Sequence, residues 1–299
     1  MRLAKVLGAI GRTCITAGVL ILLFVAYQLC GTGIREAQAQ NRLEDDFAQV
    51  LDDAQATSTT TTATTATTAP VAPTTVPPIP PVPEGDPTAR IVIPKIGLDK
   101  IVVEGVSLAD LKKGPGHYPD SPLPGQEGNA AIAGHRTTYG KPFNRIDELE
   151  PGDEITITTV QGEFTYIVKE QLIVSPSAVE VLEDKGDNRL TLTSCHPEYT
   201  SRQRIVVVSE LAPDEIPLVR PPRAEGAPPP AAIDSIDGEG APALPAILLG
   251  VLCAGIWLLA WLVGRQWRKW PCYAIGFPFF MVTLFFFFEE FSRLLPSNF

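Results

Sequence analysis

Thr191-Leu-Thr-Ser-Cys195-His-Pro-Glu-Tyr-Thr-Ser-Arg202-Gln-Arg204-Ile-Val-Val-Val208 is the stretch on which the reading of this chain turns. Residues 190–195 alternate as a strand does, with Leu190, Leu192 and Ser194 on one face and Thr191, Thr193 and Cys195 on the other. Pro197 stops further ladder pairing, and a polar loop carries Arg202 and Arg204 into a second apolar run over 205–208. Cys195 therefore stands at a strand end with a guanidinium returning beside it on the next strand. A thiol next to a fixed cation is a candidate nucleophile, because the thiolate is the reactive form and positive charge favours it.

The surroundings of that stretch are uneven. Most of the 29 prolines fall in two blocks, 70–87 and 213–245, and they bracket one segment, 88–212, long enough to bury a core of its own. The formal net charge of -10 argues against nucleic acid as a partner, which would call for a basic face. Of the five cysteines, Cys14, Cys30, Cys253 and Cys272 lie in or beside apolar segments, so Cys195 is the one thiol of the globular part. A lone cysteine is ordinarily a small buried hydrophobe. Here its neighbours point the other way.

Read in order, the chain opens with Lys5 and Arg12 before an apolar run over 13–30, just long enough to span a bilayer. The positive flank puts Met1 in the cytoplasm and the following residues outside. Ala37-Gln-Ala39 resembles a signal-peptidase site but lies well beyond the run and after Arg35 and Glu36, while Gln28-Leu29-Cys30 lacks the small residues of a lipobox. An uncleaved anchor over 1–33 is the expectation. Residues 34–56 predict a juxtamembrane helix with Leu43, Phe47, Val50 and Leu51 on one face, and a Thr/Ala- then Pro-rich linker completes 34–87. After the globular part a second Pro-rich linker covers 213–242. Two apolar runs, 244–263 and 273–288, then make a hairpin within 243–299, separated by the basic loop Arg265-Gln-Trp-Arg268-Lys269-Trp. With the globular part outside, that loop lands inside and the chain crosses three times; Pro278 in the shorter second run leaves a re-entrant hairpin as the alternative.

Within 88–212 the strands predicted are 89–98 and 100–104 (interrupted by Pro94, as on an edge), 129–133, 154–160, 163–174 and the Cys195 strand. Ser107-Leu-Ala-Asp110 has capping-box spacing and starts a short helix ending at Gly114; short helical pieces are expected at 143–149 and 176–182. Many short strands with turns between them indicate a mainly β, closed or sandwich-like structure.

A thiolate nucleophile needs a base or cation, and a tetrahedral intermediate needs donors for its oxyanion. Only three histidines exist. His196, adjacent to Cys195, would point to the opposite face of a continuing strand. His117 sits in a Gly/Pro turn where a structural role is at least as apt. His135 stands at a strand end among small and hydroxylated residues, and spacing alone leaves its pairing with Cys195 open.

Three blocks, Ala133-Gly-His-Arg-Thr-Thr-Tyr139-Gly-Lys-Pro-Phe143, Gly114-Pro-Gly-His-Tyr118 and Thr191-Leu-Thr-Ser-Cys-His-Pro197, resemble those of sortases, class E most of all, in the right order across 88–212. The resemblance implies an eight-stranded sortase-like β-barrel with short helices. It also implies a catalytic set of Cys195, His135 and Arg204, with Ser194, Thr137, Tyr139 and Arg202 as substrate-side residues. One departure is visible: the residue before the cysteine is usually Thr, and Ser194 keeps the hydroxyl. The implied reaction is transpeptidation without a cofactor or metal. A C-terminal LAXTG- or LPXTG-like sorting signal is cut between Thr and Gly and joined to an amine on a peptidoglycan precursor or another protein. The implied location is the cell membrane, multi-pass, with the catalytic domain extracytoplasmic.

Other readings are an inactive membrane-tethered binding module and another cell-wall cysteine transpeptidase, although the Ser-His-Gly-Cys block of L,D-transpeptidases is absent. A zinc site from His117, His135, Cys195 and His196 lacks paired short ligand spacings.

Overall fold

A computed structural model describes residues 2–61, 82–198, 200–219, 243–266, 269–292 and 294. Most of both predicted linkers, 62–81 and 220–242, lies outside that set, as do Trp267 and Arg268 of the basic loop. The helices and strands are α1 (Arg2–Ala26), α2 (Thr32–Thr61), β1 (Pro87–Ile93), β2 (Leu98–Glu104), α3 (Leu108–Leu111), β3 (Gly116–His117), β4 (Asn129–Ala133), β5 (Glu154–Thr159), β6 (Gly162–Val174), β7 (Arg189–His196), β8 (Gln203–Leu211), α4 (Leu244–Gln266) and α5 (Lys269–Ser292). They fall into two units, one carrying α2 and all the strands, the other carrying α1, α4 and α5.

The strands close into a barrel in the order β1-β2-β3-β4-β7-β8-β6-β5, with β5 returning to pair with β1. Alternate residues of each strand point inward. Ile91 and Ile93 of β1, Ile132 of β4, Ile155 and Ile157 of β5, Leu190 and Leu192 of β7, and Ile205 and Val207 of β8 share one buried cluster. A barrel of eight strands is just wide enough for such side chains to fill. Each fully buried Leu or Ile contributes on the order of 1.5–3 kcal/mol.

Closure revises the reading of Pro94. β1 is paired on both sides, by β2 and β5, so it is no edge; Pro94 opens a 3-10 turn, Pro94–Ile96, that hands β1 to β2. Gly97 ends that turn in the left-handed region at φ 67°, where glycine is free of the Cβ penalty. Ser107 caps α3 as predicted, accepting from the Asp110 amide. The short helix expected at 143–149 is a single 3-10 turn, Ile146–Glu148. β3 was not anticipated: its two residues are too few for a period, and only pairing with β2 and β4 defines it.

Two pairings are parallel, β2 with β3 and β4 with β7. The second positions the site. Parallel neighbours end at the same rim, so the residues following β4 and the last residues of β7 are brought side by side.

The juxtamembrane helix is longer than predicted, α2 running on to Thr61, and it is docked. Leu43 and Phe47 are buried against Ile101 and Val103 of β2, with Leu51 packed partly alongside. Val50, expected on the same face, is exposed. The first residues of the second predicted linker are held too: Leu218 donates to the Gly125 carbonyl and accepts from the Glu127 amide, at 2.8 and 2.9 Å.

In the other unit, Tyr27, Cys253, Leu284 and Phe288 form a buried cluster, and the Phe24 and Phe288 rings meet edge-on at 5.2 Å. α5 is continuous through Pro278. Among the described residues three helices are long and apolar enough to cross a membrane, over Ile10–Ala56, Leu244–Gln266 and Tyr273–Ser292. Most of their apolar side chains are exposed in the protein itself, Leu248 and Phe279 among them.

Candidate active site

Register alone assembles the site. Ala133 of β4 lies beside Thr193 of β7, which pairs with Val206 of β8; two residues on, Cys195 pairs with Arg204. The Gly134 amide donates to the Thr193 carbonyl at 3.1 Å, carrying the β4–β7 ladder one residue past β4. Period-two alternation then sets Cys195 and Arg204 on one outer face of the barrel, opposite the inward Leu190, Leu192, Ile205 and Val207, and His135 follows β4 by two residues at the same rim. Below them the face is closed by a second cluster of Val106, Leu111, Tyr118, Ala131 and Ala133.

Cys195 is a free, half-buried thiol. His135 is half-buried as a residue, but its Nε2 is sealed from solvent and has no hydrogen-bond partner. Burial, aided by the Lys112 ammonium, pushes its pKa down to about 4, so the imidazole is neutral near pH 7. The Tyr139 ring lies against it, centroids 5.1 Å apart. Arg204 is buried, its Nη1 donating to the Ser201 carbonyl at 3.1 Å, which draws the guanidinium over the start of β8. No hydrogen bond joins the Cys195 thiol to the His135 ring; catalytic bonds of this kind often form only once substrate is bound. The rim thus carries a free thiol, a neutral imidazole and a buried guanidinium, the group types that acyl transfer requires.

The family model for the sortase domain matches residues 91–212. Sortase SrtE2 of Streptomyces coelicolor is 32% identical over 71% of this chain and 84% of its own length. The chain belongs to the sortase family. Sortase SrtE1 of the same organism is 35% identical over 74% of this chain, which spans 59% of that relative. A solved mutant of sortase E from Streptomyces avermitilis shares 33% identity, covering 52% of this chain and 99% of its own, at a TM-score of 0.40.

The remaining expected residues of this sortase are placed unequally. Tyr139 and Thr137 lie in the loop after β4, both half-buried, and Arg202 is exposed just before β8. Ser194 does not face outward: it is buried, and its hydroxyl donates to the Gly134 carbonyl at 2.7 Å, tying β7 to the segment that leads from β4 to His135. The alternation predicts this turn to the opposite face from Cys195, and the contact its hydroxyl makes here is a tether between the two segments. His117 is structural, its ring held between the Glu104 carboxylate at 2.9 Å and the Pro122 carbonyl at 3.0 Å. His196 turns away from Cys195 and meets Arg136. Among the described residues no group of three or more His, Cys, Asp and Glu side chains is placed to hold a metal ion.

Two residues of this sortase were not singled out in the sequence. The buried Tyr118 hydroxyl lies 3.4 Å from the Thr193 hydroxyl, close enough to Arg204 and Cys195 for both to act on its ionisation. Desolvation is the largest cause and raises its pKa, so the phenol keeps its proton. Arg136 is also buried; it donates to the Cys195 carbonyl at 3.3 Å and pairs with Asp147 at 2.9 Å, tying the His135 loop to the end of β7. Both stood inside the quoted blocks, Tyr118 beside His117 and Arg136 beside His135, and that adjacency was the signal available.

Proposed function

We propose that this sortase is a membrane-anchored cysteine transpeptidase of the class E type, acting on a C-terminal sorting signal of the LAXTG or LPXTG kind. The observation that carries the reading is the pairing of Cys195 with Arg204 at the rim where β4 hands the chain on to His135. The neutral His135 takes the thiol proton as Cys195 Sγ attacks the Thr–Gly carbonyl carbon. Arg204, directly opposite on β8, meets the oxyanion. Collapse breaks the Thr–Gly C–N bond, His135 returns the proton to the departing glycine amine, and a thioacyl enzyme remains. A second amine, on a peptidoglycan precursor or another protein, attacks the thioester and releases the thiol.

The partition that goes with this reading is an anchor over 1–33, a juxtamembrane helix and linker over 34–87, the catalytic domain over 88–212, a linker over 213–242 and a membrane hairpin over 243–299. The barrel lies outside the cell and the segment between the hairpin helices inside. That topology is supported by the three apolar helices and by the basic residues at 265–269.

The test is incubation of the full chain in detergent with a sorting-signal peptide, followed by mass spectrometry of Cys195. A thioacyl adduct is expected, absent in Cys195→Ala. Arg204→Ala should lower kcat about 100- to 1000-fold, the usual effect of losing one oxyanion donor, and the exposed Arg202→Ala about tenfold or less. Turnover surviving in Cys195→Ala ends the transpeptidase reading.

A further inference from the structure

We propose that Thr32 and Glu36, at the start of α2, are positioning residues for the loop that carries His135, so that the juxtamembrane helix is a working part of the catalytic unit. The proposal rests on the reading of His135 as the base. α2 meets the rest of its unit along one stripe: Thr32, Glu36, Gln40, Leu43 and Phe47 recur at three- and four-residue steps and all are buried. The lower part of the stripe is the apolar patch on β2. In its middle, the Gln40 side chain accepts from the Ile101 amide at 2.8 Å and donates to the Ile101 and Lys113 carbonyls at 3.0 and 2.9 Å. Those bonds serve the side of β2 where pairing with β3 covers only Val103 and Glu104. The helix is thereby fixed in rotation and height.

The upper part of the stripe reaches the site. The Tyr139 amide donates to Thr32 Oγ1 at 3.1 Å. Glu36, held by Lys100 at 2.6 Å, fills the space where a side chain on Gly140 would stand. The backbone it meets there is unusual. Tyr139, Gly140 and Lys141 are successive left-handed residues at φ 48°, 71° and 43°, and two of them carry side chains. Such conformations cost free energy for non-glycine residues and persist only where the surroundings hold them. The Tyr139 ring set by this backbone lies against His135, and the Lys112 ammonium lies over that ring, 5.4 Å from its centre. A route of direct contacts therefore runs from α2 through the Tyr139 backbone and ring to the imidazole.

The experiment uses the full chain in detergent with Thr32→Val, which keeps the shape and removes the acceptor, and Thr32→Ser, which restores it. Hydrogen exchange over 135–142, peptide-transfer kinetics and thermal midpoint are read on the same samples. Thr32→Val should speed exchange at Tyr139 and lower kcat, each about two- to tenfold, the range set by one net hydrogen bond. KM should stay as in the parent, the thermal midpoint should fall only by the small amount one net hydrogen bond allows, and Thr32→Ser should return exchange and kcat. Glu36→Gln, which loses the ion pair with Lys100, should loosen the same peptide. Unchanged exchange over 135–142 in Thr32→Val overturns the inference whether or not peptide is turned over. Faster exchange with unchanged kcat overturns the link to catalysis. A parent chain that exchanges as expected but forms no thioacyl adduct overturns the transpeptidase reading instead.

Discussion

At the scale of single residues the site turns on the charge state of His135. Burial disfavours the imidazolium, so the folded midpoint lies at about 4, below the ~6.5 of a free histidine. Between those two values the unfolded chain binds more protons than the folded one. This group's effect on stability is therefore neutral above ~6.5 and turns unfavourable as pH falls from there towards about 4. An NMR titration of the ring should give a midpoint well below ~6.5, and Lys112→Met should move it upward only slightly, since Lys112 is the smaller of the two causes. In His135→Gln the corresponding slope of stability with pH should disappear. A midpoint above neutral pH would remove the neutral base from the mechanism.

At the scale of elements, the adjacency of β4 and β7 makes the site, and side-chain ties at their rim hold it. The Ser194 hydroxyl bonds the Gly134 carbonyl and Arg136 bonds the Cys195 carbonyl. Ser194→Ala leaves the Gly134 carbonyl without its donor in a buried place, which should cost about 1–3 kcal/mol of stability. Because the hydroxyl points away from the face that holds Cys195, KM for the sorting peptide should change little. Chemical denaturation alongside steady-state kinetics checks both halves. A large rise in KM at unchanged stability would return Ser194 to the substrate.

At the scale of the whole molecule, α4 and α5 are each long enough, at ~1.5 Å rise per residue, to cross a ~30 Å hydrocarbon layer. Arg265 and Lys269 stand at facing ends of the two helices in sequence. Reporter fusions between 265 and 270 should read cytoplasmic, and fusions after 299 extracytoplasmic, because basic residues are retained inside. An extracytoplasmic signal at 265–270 would contradict the charge argument and the outside location of the barrel with it.

By itself the sequence determined what local chemistry can encode. Alternation at 190–195 shows which residues of β7 face the core, the prolines and apolar runs separate the barrel from the long apolar helices, and the family resemblance offers His135, Cys195 and Arg204 as candidates. Ser107 likewise announces α3. Only the tertiary structure decided what depends on partners distant in the chain. The parallel pairing of β4 with β7 joins residues about sixty positions apart and leaves no periodic trace in either strand. β3 exists through its neighbours alone. The docking of α2 was half legible: Leu43 and Phe47 show as an apolar face, whereas nothing local marks the polar Thr32, Glu36 and Gln40 as buried. Their burial is made tolerable by backbone and side-chain partners on β2 and the His135 loop. A polar residue's fate is set by whether such a partner is supplied, and the partner comes from elsewhere in the fold.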